Sequence, residues 1–283
     1  MSFSSQFQMP PVVKNLLIIN ILACIASYVV RSHMGINVND YLGLHYYAAQ
    51  DFGPWQLVTF MFLHGGFDHI FFNMFALFMF GRILEQVWGG KRFLIYYLIC
   101  GIGSGLTQEV ALYFDLNPFI EAIDKFLTNP SNADVQGMMD RFVFAYDSES
   151  QLFIQQFINK YNAIVASDPS QALTYARQFF VDYQPMYFNS HITIGASGAV
   201  FGILLAFGML FPNMRLLLLF PPIPIKAKYF VIIYGLIELF LGIASNVGVH
   251  YDNVAHWAHL GGMLFGFFLV RKWRNDYNNN MYY

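Results

Sequence analysis

Charged residues are scarce in this chain. Asp, Glu, Lys and Arg make up 11% of its 283 residues, whereas a soluble globular domain averages about 25%. Hydrophobic residues make up 57%, and the mean hydropathy is +0.44. The scarcity of charge excludes an ordinary soluble domain and predicts a polytopic membrane protein. The net charge of −2, without a dense basic tract, excludes nucleic acid as a partner.

Cysteine is also nearly absent. Cys24 and Cys100 are the only two, and each lies within an apolar run. Two isolated cysteines in such runs support neither a disulfide framework nor a metal cluster. We therefore expect the protein to work without a metal ion or another cofactor.

Long apolar runs are abundant, and several are shorter than the roughly 20 residues that a full membrane span needs. Each is followed by a more polar connection. They predict an all-α polytopic membrane protein with six transmembrane helices. The segments are 16–30, 70–87, 93–112, 192–211, 229–247 and 255–270.

Lysine and arginine are distributed unevenly between the two sides. If the N-terminus is inside, the short outer loops hold only Arg31, and this asymmetry predicts cytoplasmic N- and C-termini. We expect an integral protein of a prokaryotic plasma (inner) membrane. The inner basic residues are then Lys14, Arg82, Lys91, Arg92, Arg215, Lys226, Lys228, Arg271, Lys272 and Arg274.

The region 113–190 differs from its surroundings. With Glu109 included, it carries ten acidic residues against four basic ones. Possible helix starts lie at Asn117–Pro118 and Asp168–Pro169, and apolar residues recur at helical spacing in 151–165. We expect an extracytoplasmic helical insertion of two to four helices between the third and fourth spans. It is either a solvated elaboration or a dedicated recognition domain.

This interpretation divides the chain into four parts. They are residues 1–112 with the first three spans and the first outer loop, the insertion 113–190, residues 191–272 with the last three spans, and a cytoplasmic tail 273–283.

The fourth segment begins with a serine between glycines. Ser197 follows Gly195 and precedes Gly198, and a helix that starts at Ser197 leaves its first N–H groups without an intrahelical acceptor. Those N–H groups and the helix dipole favour negative charge there. Gly198 and Gly202 also allow another helix to approach closely.

The last segment contains two histidines, and helical geometry separates them. Gly262 and Gly266 form a small-residue face that another helix can approach. At about 100° per residue, His259 lies roughly 40° from the centre of that face and His256 roughly 100° away. His259 is therefore predicted to meet Ser197, where an imidazole can accept the serine proton.

The second segment adds polar groups. His69 and Asn73 stand four residues apart on one helix face. His64 lies five residues before His69, in the loop that leads into this segment. The side chains of His69 and Asn73 are candidate donors to an oxyanion beside Ser197. Asp68 and Asp252 are the acids in the nearby outer stretches, and neither lies on the face of the histidine. We therefore expect a two-residue dyad.

Each motif alone has an ordinary structural explanation. A Gly-x-Ser-Gly element in a membrane helix is usually a close-packing device, and a single interfacial histidine is usually an anchor. The amide of Asn73 can simply bond a neighbouring backbone. The joint occurrence of these residues at one depth on three helices favours catalysis.

Together the motifs resemble those of the rhomboid intramembrane serine proteases, in order and across all six spans. Gly195 to Gly198 is similar to the Gly-x-Ser-Gly nucleophile motif, and His69 to Asn73 is similar to the His-x-x-x-Asn element. Ala258 to Gly266 is similar to the Ala-His-x-x-Gly-x-x-x-Gly element of the sixth helix. Trp55 is followed by Gln56, where the family commonly has arginine.

The resemblance implies roles for these residues. It makes Ser197 the nucleophile and His259 the general base, and it assigns the oxyanion hole to His69, Asn73 and the Ser197 amide. It also implies a serine endopeptidase that cleaves single-span membrane proteins in or near their transmembrane segment. The supporting residues that it implies are His64, Gly195, Gly198, Phe201, Gly262 and Gly266, with Phe201 packed on the catalytic histidine.

Two other classes of function remain open at this point. A relative without proteolytic activity would bind membrane helices as a chaperone or trafficking factor, and such a protein is expected to lack the serine or the histidine. A small transporter would show an inverted repeat or charged pairs, which the sequence lacks. The expected partners of a protease are transmembrane substrates and the lipid bilayer, and the sequence leaves the oligomeric state open.

Overall fold

The computed structural model describes residues 9–143, 148–217, 223–246 and 254–280. Within these residues the chain is predominantly helical, as predicted, with four strands of two or three residues. A 3₁₀ turn spans Phe60–Phe62, and a π-helical turn spans Leu77–Gly81.

The helices are α1 Pro11–Met34, α2 Asn39–Leu42, α3 Gln56–Thr59, α4 Phe67–Ala76, α5 Arg82–Trp88, α6 Gly90–Thr128, α7 Asn132–Phe142, α8 Ser148–Val165, α9 Pro169–Asn189, α10 Ser197–Leu210, α11 Ala227–Asn246 and α12 His256–Asn280. The strands are β1 Leu44–His45, β2 Ile192–Thr193, β3 Arg215–Leu217 and β4 Pro224–Lys226, and β3 pairs antiparallel with β4.

Four helical stretches among the described residues are long and apolar enough to cross a membrane. They are Pro11–Met34, Phe67–Trp88, Gly90–Thr128 and Ala227–Ser245. The chain is therefore an all-α polytopic membrane protein. Each of the six predicted segments contains a helix, but α10 has only 14 residues. That all six segments cross the membrane completely stays a prediction.

Three predicted boundaries can be compared with the helices. Asp168 caps α9 by accepting a hydrogen bond from the Gln171 amide, so the predicted helix start there is confirmed. The start predicted at Asn117–Pro118 was wrong, because α6 runs through Pro118 and the Asn117 side chain bonds Glu121 instead. The backbone of α12 continues to Asn280, through most of the predicted tail.

The chain divides into two compact units. The second consists of His45–Phe52 and Ala111–Ile192, and its core is built from apolar residues of α6 to α9 together with Tyr46 and Ala49. Aromatic rings dominate this core, with Phe157 stacked on Phe179 at a centroid distance of 3.9 Å. Aromatic side chains bury large areas, which lets a small helical unit form a core of its own.

The first unit consists of Met1–Leu44, Gly53–Val110 and Thr193–Tyr283. Its central helix is α10, which is apolar on every side and packs against α4, α11 and α12. A helix without a polar face belongs in the interior of a bundle. Helix α10 therefore lies in the interior of this unit, and its first residue is Ser197.

A buried carboxylate holds the start of α1 in the same unit. The two oxygens of Glu85 accept hydrogen bonds from the backbone N–H groups of Val12 and Val13, at 2.9 and 2.7 Å. The first N–H groups of a helix have no intrahelical acceptor, so the carboxylate satisfies donors that would otherwise be unpaired. Glu85 thus fixes α1 against α5.

Candidate active site

Ser197 is the first residue of α10, and the chain turns sharply just before it. Gly195 has φ of +128°, a conformation that residues with a Cβ atom rarely adopt. Its N–H group donates to the carbonyl oxygen of Phe60 at 2.9 Å. The following residue, Ala196, is completely buried. The backbone on both sides of the turn is thereby fixed, and with it the position of the Ser197 hydroxyl.

The Ser197 hydroxyl lies beside an imidazole. The distance from Ser197 Oγ to His259 Nε2 is 2.7 Å, and His259 sits in the first turn of α12. The ring of Phe201 stacks on the His259 ring with centroids 4.2 Å apart and an angle of 8° between the planes. His259 rather than His256 therefore meets the serine, and Phe201 lies where the resemblance implied.

Glycines allow α10 and α12 to come this close. A Cβ atom on Gly262 would collide with the backbone carbonyl of Gly198, and one on Gly202 would lie 3.0 Å from the Gly262 oxygen. Gly266 instead faces the hydroxyl of Tyr96 on α6. The contact that aligns the serine and histidine therefore uses Gly198, Gly202 and Gly262.

A carboxylate from α11 completes the hydrogen-bonded chain. Glu238 Oε2 lies 2.8 Å from His259 Nδ1 and 2.7 Å from His256 Nδ1. The expectation that no carboxylate reaches His259 was wrong, because it considered only the acids of the outer stretches. Of those acids, Asp68 lies exposed in the first turn of α4 and Asp252 lies outside the described residues.

The hydrogen bonds define which nitrogen of each imidazole carries a proton. A carboxylate accepts and does not donate, so His256 and His259 both donate to Glu238 from Nδ1. A neutral His259 then has no proton on Nε2. That atom can accept a proton from the Ser197 hydroxyl, which is the tautomer that a general base requires.

His69 faces the same turn. The Gly65 N–H group donates to His69 Nδ1 at 3.3 Å, which leaves the proton of a neutral ring on Nε2. A Cβ atom on Gly195 would lie 2.7 Å from His69 Nε2 and 3.6 Å from Ser197 Oγ. The missing side chain of Gly195 therefore leaves a space bordered by an N–H donor and the serine hydroxyl.

Asn73 and His64 accompany His69. Asn73 lies one helical turn further along α4 and is 5% exposed. The His64 ring packs edge-on against His69 with centroids 5.1 Å apart. Burial, and then the neighbouring His69, lowers the pKa of His64 to about 4. His64 is therefore neutral at physiological pH and adds no charge next to His69.

Three side chains in this group also have the composition of a metal site. The ligand atoms of Glu238, His256 and His259 all lie within 4.8 Å of one another, and the three residues are buried. Two imidazoles and a carboxylate are ligands that zinc accepts. Among the residues that the structure describes, Glu238, His256 and His259 could together hold a metal ion.

Comparison with known proteins gives a consistent result. Residues 51–115 and 149–274, well over half of the chain, match the family model for the rhomboid domain. A stretch of 58 residues is 41% identical to RHOMBOID-like protein 6, mitochondrial, of Arabidopsis thaliana, covering 20% of this chain and 19% of that protein. A stretch of 56 residues is 39% identical to the rhomboid protease GluP of Bacillus subtilis, covering 20% and 11%.

A longer stretch of 105 residues is 26% identical to the rhomboid protease GlpG of Haemophilus influenzae, covering 35% of this chain and 54% of that protein. In all three comparisons the matched part spans well under two thirds of the relative's own length. The family match, in contrast, includes both the helix that carries Ser197 and the helix that carries His259. The chain belongs to the rhomboid family.

Proposed function

We propose that the protein is an intramembrane serine endopeptidase in which Ser197 is the nucleophile and His259 the general base. The observation that carries the proposal is the 2.7 Å separation between Ser197 Oγ and His259 Nε2 in a membrane-embedded unit. A polar pair at membrane depth is costly and therefore indicates function. The rhomboid proteases among the similar proteins support the same reaction.

In the first half of the reaction, Ser197 Oγ attacks the carbonyl carbon of a substrate peptide bond, and His259 Nε2 takes the hydroxyl proton. The C–O bond forms as the carbonyl π electrons move to oxygen. His259 then gives its proton to the leaving amine nitrogen as the C–N bond breaks. The products are an acyl-enzyme on Ser197 and a free amine.

The negative charge on the carbonyl oxygen needs donors on its own side. The space beside Gly195 is bordered by the Nε2–H group of His69. Next to it lies the backbone N–H group of Ser197, the first residue of α10. Both are donors held in place before the substrate arrives, which is how an oxyanion hole lowers the barrier. Asn73, one turn beyond His69, is the further donor that we assign to this site.

In the second half, water replaces the amine. His259 Nε2 takes a proton from water while the water oxygen attacks the acyl carbon, and the proton then passes to Ser197 Oγ as the ester bond breaks. The net reaction is hydrolysis of one peptide bond. This hydrolysis requires neither a redox partner nor a cofactor.

The substrate that fits a site at membrane depth is a single-span membrane protein cut in or near its span. We also propose that the termini are cytoplasmic and that residues 113–190 form an extracytoplasmic insertion. The alternative of a non-proteolytic helix-binding protein is less favoured, because such a protein has no need to keep Ser197 and His259 hydrogen-bonded.

A fluorophosphonate probe tests the proposal on the purified protein in detergent. The probe is expected to attach to Ser197 in the wild type, to attach weakly in His259→Ala, and not to attach in Ser197→Ala. His33→Ala, at an exposed position of α1, is the matched control and should label like the wild type. Wild-type protein that does not label at Ser197, or labels no better than His259→Ala, contradicts the proposal.

A further inference from the structure

Glu238 is a carboxylate in the apolar helix α11. It is 8% exposed, and its two partners, His256 and His259, are 4% and 8% exposed. An ionisable group within a membrane helix is expensive unless it is paired. The structure pairs it twice, and both hydrogen bonds end on the same oxygen, Oε2.

We infer that Glu238 is a positioning residue for His259, held in place by His256, so that the reacting unit is a chain of four side chains and not a dyad. The inference rests on the proposed function. Glu238 does not touch the reacting atoms. It acts through His259, by fixing the proton on Nδ1 and directing Nε2 toward Ser197.

The first part of this role is the choice of tautomer. A neutral imidazole can carry its proton on either nitrogen, and only the form with a bare Nε2 can accept the serine proton. The 2.8 Å bond from His259 Nδ1 to Glu238 selects that form. Without an acceptor at Nδ1, part of the protein holds its proton on Nε2 and is inactive.

The second part is electrostatic. When His259 accepts the serine proton it becomes a cation in an apolar helix bundle, where charge is poorly stabilised. The carboxylate of Glu238 faces that cation from the opposite side of the ring. Phe201, stacked on the same ring, limits rotation away from this arrangement.

His256 gives the carboxylate a fixed position. It precedes His259 by one helical turn at the start of α12, and the two donors reach one oxygen of a residue on another helix. A carboxylate held by two N–H groups is more restricted than one held by a single donor. The arrangement also ties α11 to the first turn of α12, next to the serine.

A bound metal ion is the competing explanation for the same three residues. Ligand atoms that share a tetrahedral zinc at 2.0–2.1 Å are about 3.3 Å apart. Here the two nitrogen–oxygen distances are 2.7 and 2.8 Å, which are hydrogen-bond distances. The geometry therefore favours protons, and not a metal ion, between Glu238 and the two imidazoles.

The test compares Glu238→Gln with the wild type on a fluorogenic single-span peptide in liposomes. The amide keeps the size and loses the charge. We expect kcat to fall about 10²- to 10⁴-fold, the range associated with general acid–base catalysis, and KM to change less than about twofold. Glu238→Asp keeps the charge and should recover at least part of the lost kcat.

A pH profile separates positioning from a merely structural effect. The titratable groups that face His259 are Glu238 on α11, His256 on its own helix and His69 on α4. Removing the negative charge of Glu238 destabilises the protonated imidazole. The acidic limb of the kcat profile should therefore move to lower pH in Glu238→Gln, whereas a change in folding alone would leave its midpoint in place.

Glu85→Gln is the matched control, because Glu85 is also a buried carboxylate of this unit but caps α1. It should lower the melting temperature and keep the wild-type kcat. If Glu238→Gln does not fold, His256→Gln takes its place, and kcat should fall several-fold at unchanged KM.

Three outcomes overturn the inference. They are a wild-type kcat in Glu238→Gln, a wild-type kcat in His256→Gln, and loss of wild-type activity in EDTA that zinc restores. If either variant keeps the wild-type kcat and the wild type still cleaves in a Ser197-dependent way, the positioning role fails and the proposed function stands. Absence of Ser197-dependent cleavage removes the proposed function itself.

Discussion

His259 Nε2 lies 2.7 Å from Ser197 Oγ, although the two residues are 62 positions apart in the sequence. The backbone contact between Gly198 and Gly262 makes this distance possible, since each glycine lies within one turn of the residue that it helps to position. The close packing of α10 against α12 therefore sets the Ser197–His259 distance on which the proposed chemistry depends.

Gly262→Ala is expected to separate the two helices. The new methyl group would overlap the Gly198 carbonyl, and the helices must move apart to accept it. A displacement of about 1 Å can cost roughly 10²-fold in rate. The measurement is kcat on a fluorogenic transmembrane peptide. Gly137→Ala, in α7 with open space around it, is the control and should leave kcat unchanged.

Gly195→Ala is expected to block the space next to Ser197. Its methyl group would lie 2.7 Å from His69 Nε2, and the residue would have to hold φ near +128°. Loss of one oxyanion donor costs about 10²- to 10³-fold in kcat. Gly66→Ala has open space and an extended φ, and should retain activity. Equal turnover by both variants would argue against an oxyanion site at Gly195.

Phe201→Leu is expected to loosen His259. The ring stack is lost, and aromatic pairs contribute about 0.5–1.5 kcal/mol beyond their area, which corresponds to about 2- to 10-fold in rate. Phe201→Tyr keeps the ring and should keep most of the activity. Steady-state kinetics of the two variants in the same detergent provide the comparison, and a Leu variant as fast as wild type would show that the stack is dispensable.

His64 is expected to make stability depend on pH. Its pKa is about 4 in the folded protein, against 6.5 for an unperturbed histidine. Between pH 6.5 and 4 the unfolded chain binds a proton that the folded chain does not, so the free energy of unfolding falls as pH falls. The loss reaches about 3 kcal/mol at pH 4.

The check is the apparent melting temperature of the wild type and of His64→Gln from pH 7 to pH 4. The variant should lose less stability over this range than the wild type. His33→Gln, at an exposed histidine, should follow the wild-type curve. Identical slopes for all three proteins would mean that His64 titrates normally.

Local sequence features predicted much of this structure. The six apolar segments contain helices, and the cap at Asp168 is confirmed, because apolar runs and capping residues act within a few positions. Small-residue spacing also singled out His259 over His256. Such features need no knowledge of the remaining fold.

Tertiary pairing was harder to predict. Glu238 was missed because its partners, His256 and His259, lie about twenty residues away on another helix. Its position inside an apolar segment was the available signal, since a lone acid at membrane depth needs a partner. The helix start predicted at Pro118 was wrong for the opposite reason. The local signal is present there, but α6 begins upstream at Gly90 and continues through Pro118.

The central claim is that Ser197 and His259 cleave peptide bonds within the membrane. The most direct measurement places the purified wild type and Ser197→Ala in liposomes with a single-span fluorogenic peptide and identifies the products by mass spectrometry. We predict one cut in or near the span with the wild type and none with Ser197→Ala. Cleavage by Ser197→Ala at the wild-type rate would contradict the account.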